Sequence, residues 1–318
     1  MDRFSYVRTL RDAIYGKVIL ARRNASNHDE LVAIKMMSLQ HLAARTALRG
    51  NLHIKEDGLQ EFAILQSLAP HASLLHLLED FEHDNMLCLV FAYCPYGELF
   101  DQVHGPNKTS RGVHEAIAAR WFRQIVLGVV HIHAGGVAHR DLSLENILLD
   151  AQQHCRICDF GLATQRGDLA TGRVGKPFYM APEVYLGDHT SYNGFTADVW
   201  SLGILLFILV CGMPPLEVPG DHDARFRIVR QEGIRALVKM WGLRLSERVL
   251  DLIAQLLRVQ PHERSSLETI LQHPWLAEVD ACEATPAVDC RPPTTTTAEV
   301  DVMRCDGKRH GSCMAYVA

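Results

Sequence analysis

The stretch His139-Arg140-Asp141-Leu142-Ser143-Leu144-Glu145-Asn146 decides how the rest of this chain is read. It carries an acid at position 141 and an amide at position 146, with polar residues set between leucines. Cys158-Asp159-Phe160-Gly161 begins twelve residues later, and Ala181-Pro182-Glu183 closes the set. Three short motifs in this order within residues 139–183 are hard to obtain by chance. Their polar members also form a coherent chemical set. Asp141 offers a carboxylate able to orient a hydroxyl group, and Asn146 and Asp159 offer two oxygen donors of the kind that hold a hard divalent cation.

Composition bounds what can surround these motifs. A chain of 318 residues, 48% hydrophobic and 22% charged, can bury a large core in one domain or two lobes. Its net charge of −5, with no basic block, argues against nucleic acid as the primary partner. The first sixteen residues, MDRFSYVRTLRDAIYG, lack the apolar core of a secretory signal. The longest apolar run, Val199 to Gly212, is too short to span a bilayer and reads as a buried helix. The nine cysteines form no dense framework, so a reducing compartment is expected: the cytoplasm, with the nucleus as an alternative.

The hydrophobic pattern changes twice along the chain. Residues 5–38 are rich in β-branched and aromatic side chains and include the strand-like Leu31-Val32-Ala33-Ile34-Lys35. A helical pattern through Leu59, Phe62, Ala63 and Leu68 ends before Pro70, and Met86-Leu87-Cys88-Leu89-Val90-Phe91 reads as a second apolar strand. From Glu115 onward, Ala118, Trp121, Phe122, Ile125, Val126 and Val129 recur at helical spacing, with Gly135-Gly136 as the stop. A small β-rich lobe followed by a larger helical one is the organisation this pattern implies. After Leu276 the sequence turns to Ala, Thr, Asp and Pro, and residues 277–318 are expected to be disordered.

An H-R-D-x-x-x-x-N loop, a D-F-G and an A-P-E resemble the eukaryotic protein kinase signature set. The resemblance covers residues 6 to about 276. It implies the α+β two-lobed protein kinase fold, with residues 1–5 as a short extension, an N-lobe over 6–92 and a C-lobe over 95–276. It also implies ATP with Mg²⁺, or Mn²⁺ in its place, and protein substrates. Asp141 is then the carboxylate that orients the substrate hydroxyl, and Asn146 and Asp159 are the metal ligands. Val32-Ala33-Ile34-Lys35 is similar to the strand whose lysine contacts the phosphates. Glu61 is its preferred ion-pair partner, with Glu56 as the alternative. Phe91 resembles the gatekeeper, and Ala92-Tyr93-Cys94 the hinge that receives adenine. Leu10, Gly16, Val18, Ala33, Glu98, Leu148 and Cys158 complete the implied nucleotide site.

Further positions fit the same family. Asp198 looks like the buried aspartate that holds the catalytic-loop backbone, Glu183 and Arg264 like a glutamate–arginine bridge, and His139 like a structural member of the loop. The segment Gly175-Lys176-Pro177-Phe178-Tyr179-Met180 is similar to the activation segment of serine/threonine kinases, and tyrosine kinases carry a different catalytic loop. Gly97-Glu98-Leu99-Phe100 resembles the calcium/calmodulin-dependent group, although no basic amphipathic helix follows the domain. In that group Glu98 and Glu145 would receive basic residues upstream of the target hydroxyl.

The sequence departs from the family in two places. The frame of the phosphate-covering loop, usually three glycines, is filled by Leu10-Arg11-Asp12-Ala13-Ile14-Tyr15-Gly16-Lys17-Val18, so Arg11 and Ala13 are expected to stiffen and crowd it. Two readings follow: a working kinase with weak ATP affinity, or a pseudokinase that only holds partners. Secondly, the family's lysine two residues after the catalytic aspartate is Ser143, while a usual threonine of the activation segment is Lys176. The exchange suggests that Lys176 supplies the missing charge. Among other thiols, Cys155-Arg156-Ile157-Cys158 has metal or redox spacing but reads as strand packing, with Cys158 a candidate reactive thiol. Cys282, Cys290, Cys305, His310 and Cys313 are a loose candidate metal group.

Overall fold

The computed structural model describes residues 3–24, 30–48, 54–104, 112–187 and 190–277. Its N-terminal part is an antiparallel sheet of five strands: β1 (Phe4–Ala13), β2 (Gly16–Arg23), β3 (Glu30–Ser38), β4 (Leu77–His83) and β5 (Met86–Ala92). The strand order is β1-β2-β3-β5-β4. Two helices precede β4, α1 (Leu39–Ala44) and α2 (Gly58–Ser67). Alternation along the strands sorts the side chains to two faces. Val32, Ile34 and Met36 join Phe4, Ile19, Ala21, Cys88 and Val90 in a small core on one face. The intervening Met37, with Leu87, Leu89 and Phe91 of β5, belongs to the main core, so Ala33 and Lys35 share the face that looks toward the C-terminal lobe.

Strand β1 begins earlier than expected. Phe4 pairs with Arg23, is buried, and stacks on Phe81 with ring centroids 5.5 Å apart. Residues 4 and 5 are therefore part of the sheet rather than of an extension. An aromatic side chain burying this much apolar area is enough to draw the strand end into the core.

The larger lobe is built on two long helices. Helix α3 (Leu99–His104) leads to α4 (Glu115–Ala134), whose Trp121, Phe122, Ile125, Val126 and Val129 are buried as the periodicity predicts. Gly135 caps it and Gly136 follows in the left-handed region at φ +76°. A hairpin of β6 (Ile147–Leu149) and β7 (Cys155–Ile157) carries the catalytic segments. Short α5 (Pro182–Leu186) precedes α6 (Gly194–Cys211), which packs against α4. Helix α6 has a mean hydropathy of 2.0, apolar enough to cross a membrane by composition, yet 89% of it is buried within the lobe. A helix apolar on every side is stable in water only when enclosed, and this one forms the lobe's axis. Asn193 caps its start through Thr196 N, and Gly212 at φ +73° ends it. Helices α7 (Ala224–Glu232), α8 (Ile234–Met240), α9 (Glu247–Leu256), α10 (Leu267–Leu271) and α11 (Pro274–Ala277) complete the lobe. Trp275 of α11 closes it on α4, donating from Nε1 to Glu115 Oε2 at 3.1 Å. The remainder of the tail, with its candidate metal group, lies outside the described residues.

Candidate active site

Between the sheet and the helical lobe lies a cleft of about 480 Å³, lined by Arg11, Glu56, Glu98, Asp141, Glu145, Asn146, Asp159, Leu162, Gly175 and Lys176. The motifs separated in sequence thus meet in one place. What positions them is largely the buried Asp198 of α6. Its carboxylate accepts from His139 N and Arg140 N, both at 2.8 Å, and from His133 Nε2 at 2.8 Å. Three donors satisfy a fully buried acid and clamp the backbone of the loop, where Arg140 sits at φ +66°. A non-glycine residue there costs on the order of 1–3 kcal/mol, which such a clamp offsets. His139 completes the link: Nε2 donates to Cys158 O at 3.1 Å while Nδ1 accepts from Asp141 N at 3.3 Å.

The Asp141 carboxylate is held from three directions. Asn146 Nδ2 donates to Oδ2 at 2.7 Å, Lys176 N donates to Oδ1 at 3.2 Å, and Lys176 Nζ lies 3.3 Å from Oδ2. The activation segment can approach this closely only because position 175 is glycine. Gly175 has φ +93°, and a Cβ there would stand 2.7 Å from Arg140 O. Lys176 Nζ continues to Ser143 Oγ, 2.8 Å away. The structure therefore brings the exchanged pair into direct contact.

On the sheet side, Lys35 Nζ donates to both carboxylate oxygens of Glu61 at 2.7 Å. Helix α2 presents Glu61 in its first turn, its start fixed by Asp57 accepting from Leu59 N and Gln60 N. Glu56 precedes that cap and is not on the helix, so it does not compete for Lys35; it lines the cleft instead. Asp159, at φ +65°, has Oδ1 3.7 Å from Lys35 Nζ and Oδ2 3.9 Å from Arg11 Nη2. Burial works to raise the Asp159 carboxyl, but the charges of Lys35 and then Arg11 outweigh it and hold the carboxyl below its usual range. Burial likewise opposes the Lys35 charge, and Glu61 and Asp159 more than compensate, so the ammonium stays protonated.

Of the other residues expected at the nucleotide, Glu98 lines this cleft, whereas Leu10, Gly16, Val18, Ala33, Phe91, Ala92, Cys94, Leu148 and Cys158 are not part of its lining. Val18 pairs with Lys35 and Ala33 with Phe91, two residues apart along β3, with Ala92 next along β5. Leu148 of β6 forms an isolated antiparallel bridge with Glu98, and Cys94 is buried, its thiol pushed up to about 12 by burial and then by Asp150. Leu10 lies within β1 and is half-buried beside Arg11.

Three expectations are corrected. Cys158 is not a reactive thiol: it is buried, its Sγ donates to Asn146 O at 3.4 Å, and burial first, then Asp159, pushes it far above the usual thiol range. Gly16 is needed for sheet packing, since a Cβ there would stand 2.0 Å from Met36 O. Glu98, in the protein without nucleotide, is not open to an incoming basic residue, because Arg11 Nη1 donates to its Oε1 at 3.0 Å. Sequence reasoning treated Arg11 only as an obstruction and gave Glu56 no place in the cleft wall. The bulge in β1 that aims Arg11 and the helix cap that excludes Glu56 leave little trace in composition.

Farther out, Arg264 forms a two-pronged pair with Glu183, both bonds 2.7 Å, and is itself buried. Tyr179 accepts from Leu144 N at 3.2 Å, and Ser201 Oγ donates to Tyr179 O at 2.9 Å, so the segment after Lys176 is tied to both the catalytic loop and α6.

This is the constellation of a phosphoryl-transfer site, and the comparisons agree. The protein kinase domain family matches residues 6–276. The chain belongs to that family. Similar proteins include the probable serine/threonine-protein kinase KCC4 of Saccharomyces cerevisiae, 33% identical over 270 residues, covering 82% of this chain and 24% of that protein. The human NUAK family SNF1-like kinase 2 is 35% identical over 277 residues, covering 86% of this chain and 40% of that protein. The serine/threonine-protein kinase PLK4 of Drosophila ananassae is 37% identical over 250 residues, covering 78% and 30%. The chain thus spans about a quarter of the yeast relative's length. Family members use ATP and divalent metal ions.

Proposed function

We propose that this chain is a catalytically active serine/threonine kinase rather than a pseudokinase, and that Asp141, Lys35, Glu61, Lys176, Asn146 and Asp159 carry the transfer. The observation that supports this most directly is the doubly bonded Lys35–Glu61 pair formed while Asp159 stands 3.7 Å from the same ammonium. That arrangement sets one cation and one ionised carboxylate side by side, the first suited to phosphate oxygens and the second to a divalent ion.

Each residue then has a defined task. Asp141, fixed by Asn146 and Lys176, accepts the proton of the attacking hydroxyl and orients it. Lys35 holds the non-transferring phosphates, and Glu61 fixes its side chain. Mg²⁺ is held by one or two protein oxygens together with substrate phosphates, and Asn146 and Asp159 are such donors. Mn²⁺ asks for the same hard oxygens. A bound ion would neutralise charge developing on the transferred group. Because the work is positioning and charge stabilisation, Asp159→Ala is expected to lower turnover on the order of 10³-fold. Transfer of labelled γ-phosphate to a basic protein mixture measures it, and near-wild-type transfer by the variant would refute the assignment.

Glu145 supports a preference among substrates. One of its carboxylate oxygens is buried with no hydrogen-bond partner, and the residue lines the cleft. Such an acceptor calls for a charged donor, so a basic residue two or three positions before the target hydroxyl is favoured. A peptide array in which acidic and basic upstream residues are used equally would discard this preference.

A further inference from the structure

The glycine-poor phosphate loop was expected to weaken nucleotide binding, but its geometry points elsewhere. The tip of the β1–β2 hairpin is tied down. Tyr15 is buried, donates from its hydroxyl to Glu56 O at 2.5 Å, and accepts from Ser38 N at 2.9 Å; Ile14 O accepts from Leu48 N at 2.8 Å. With Gly16 seated against Met36 O, this loop is not free to fold its amides onto a phosphate chain. One side chain does reach down. The β1–β2 register slips between Thr9 and Arg11, and a slip of this kind re-aims the residue beside it. Arg11 then spans the cleft mouth, 3.0 Å from Glu98 and 3.9 Å from Asp159.

The charges around the cleft make that reach meaningful. Its lining carries the carboxylates of Glu56, Glu98, Asp141, Glu145 and Asp159 against only two cations, Arg11 and Lys176. A triphosphate entering such a place needs more positive charge than Lys176 and Lys35 supply. We infer that Arg11 is a phosphate ligand: its guanidinium parks on Glu98 and Asp159 in the free protein and moves to the triphosphate when nucleotide enters. A side chain thereby takes the task that glycine amides perform in a supple loop. Guanidinium suits it, because its planar fork pairs with two phosphate oxygens at once. The exchange also frees Glu98 at the moment the nucleotide is bound.

This inference rests on reading the cleft as the nucleotide site, so the test uses two probes. Equilibrium binding of a β,γ-imido ATP analogue with Mg²⁺, and of adenosine alone, is measured for the full chain and for Arg11→Met, Arg11→Gln and Arg11→Lys. Thermal melting confirms that each variant is folded, and either neutral variant can serve. The expected result is a loss of about tenfold in analogue affinity for the neutral variants, adenosine affinity within about twofold of wild type, and partial recovery with lysine. Unchanged analogue binding would overturn the inference. So would tighter binding of both probes, the result of a guanidinium that merely plugs the cleft. A wild-type chain that bound neither probe would remove the nucleotide-site reading and this inference with it.

Discussion

The Lys176 ammonium donates a 2.8 Å hydrogen bond to the Ser143 hydroxyl and lies 3.3 Å from the Asp141 carboxylate. In the family these positions hold a lysine on the catalytic loop and a hydroxyl on the activation segment. Here the two groups have changed places across the same contact, so a cation is kept beside the attacking site although it arrives from the opposite loop.

Lys176→Met is therefore expected to lower turnover on the order of 10²–10³-fold while leaving the KM for ATP nearly unchanged, as for loss of a charge that acts mainly on the transition state. The double exchange, Ser143→Lys with Lys176→Thr, should recover most of the activity. Steady-state kinetics on a basic peptide reads both. An unchanged rate in Lys176→Met would show that the ammonium only braces the loop.

Arg140 supports an expectation about activation. Its Nε donates to Tyr192 Oη at 3.0 Å, and its Nη2 donates to the carbonyls of Thr171 and Gly172. Tyr192 Oη donates in turn to Gly172 O at 3.2 Å, and Ala170 and Tyr192 pair through both backbone bonds. A phosphorylated residue commonly orders such a segment by pairing with arginine. Here a phenol and two carbonyls already occupy that arginine. Gly172, at φ +79°, cannot be phosphorylated, and Thr171 contributes its carbonyl rather than its side chain. Phosphatase-treated protein and Thr171→Ala should both keep more than half of wild-type activity. Tyr192→Phe, which removes the phenol, should fall about fivefold. Loss of most activity in both of the first two would show that Thr171 acts through a phosphate.

How much of this was legible beforehand depended on the kind of interaction. The motif residues Asp141, Asn146 and Asp159 could be read because their types and spacing are fixed by chemistry. Helix α6 could be read because a run apolar on all sides has only one stable place in water. Lys35 could be read from the resemblance of Val32-Ala33-Ile34-Lys35 to the family's lysine strand; the alternation of β3 then turns Ala33 and Lys35 to one face and Val32 and Ile34 to the other. Glu61 was preferred over Glu56 from the apolar spacing downstream, and in the structure it is Glu61 that pairs with Lys35, with Asp57 capping the helix so that Glu61 falls in its first turn. Arg11 was misjudged because sequence gives its backbone position and not where a long side chain ends. The role of Gly16 was misassigned for a similar reason, since the atom it avoids belongs to the neighbouring strand.

Glu56 gives the expectation that depends most directly on pH. Burial, then the charge of Asp159, raises its carboxyl from 4.5 to about 7. Its Oε2 lies against Gly161, 3.4 Å from where a Cβ would be, so the acid faces the Asp159 turn. Above pH 7 the folded protein must hold it as a carboxylate beside Asp159, while the unfolded chain ionises it freely. The resulting destabilisation is full above about pH 7, shrinks as pH falls toward 4.5, and is absent below that value. Glu56→Gln removes the ionisable group and nearly keeps its shape. The variant should melt at a higher temperature than wild type at pH 8, with the gain shrinking through the window and vanishing near pH 4. Tyr15 still has Glu56 O as its acceptor in this variant, so the hairpin staple is undisturbed. Thermal midpoints of both proteins, measured in parallel across that range without nucleotide, give the comparison. A gain of equal size at pH 8 and pH 4 would show that the carboxyl ionises at its ordinary value and that Asp159 does not press on it.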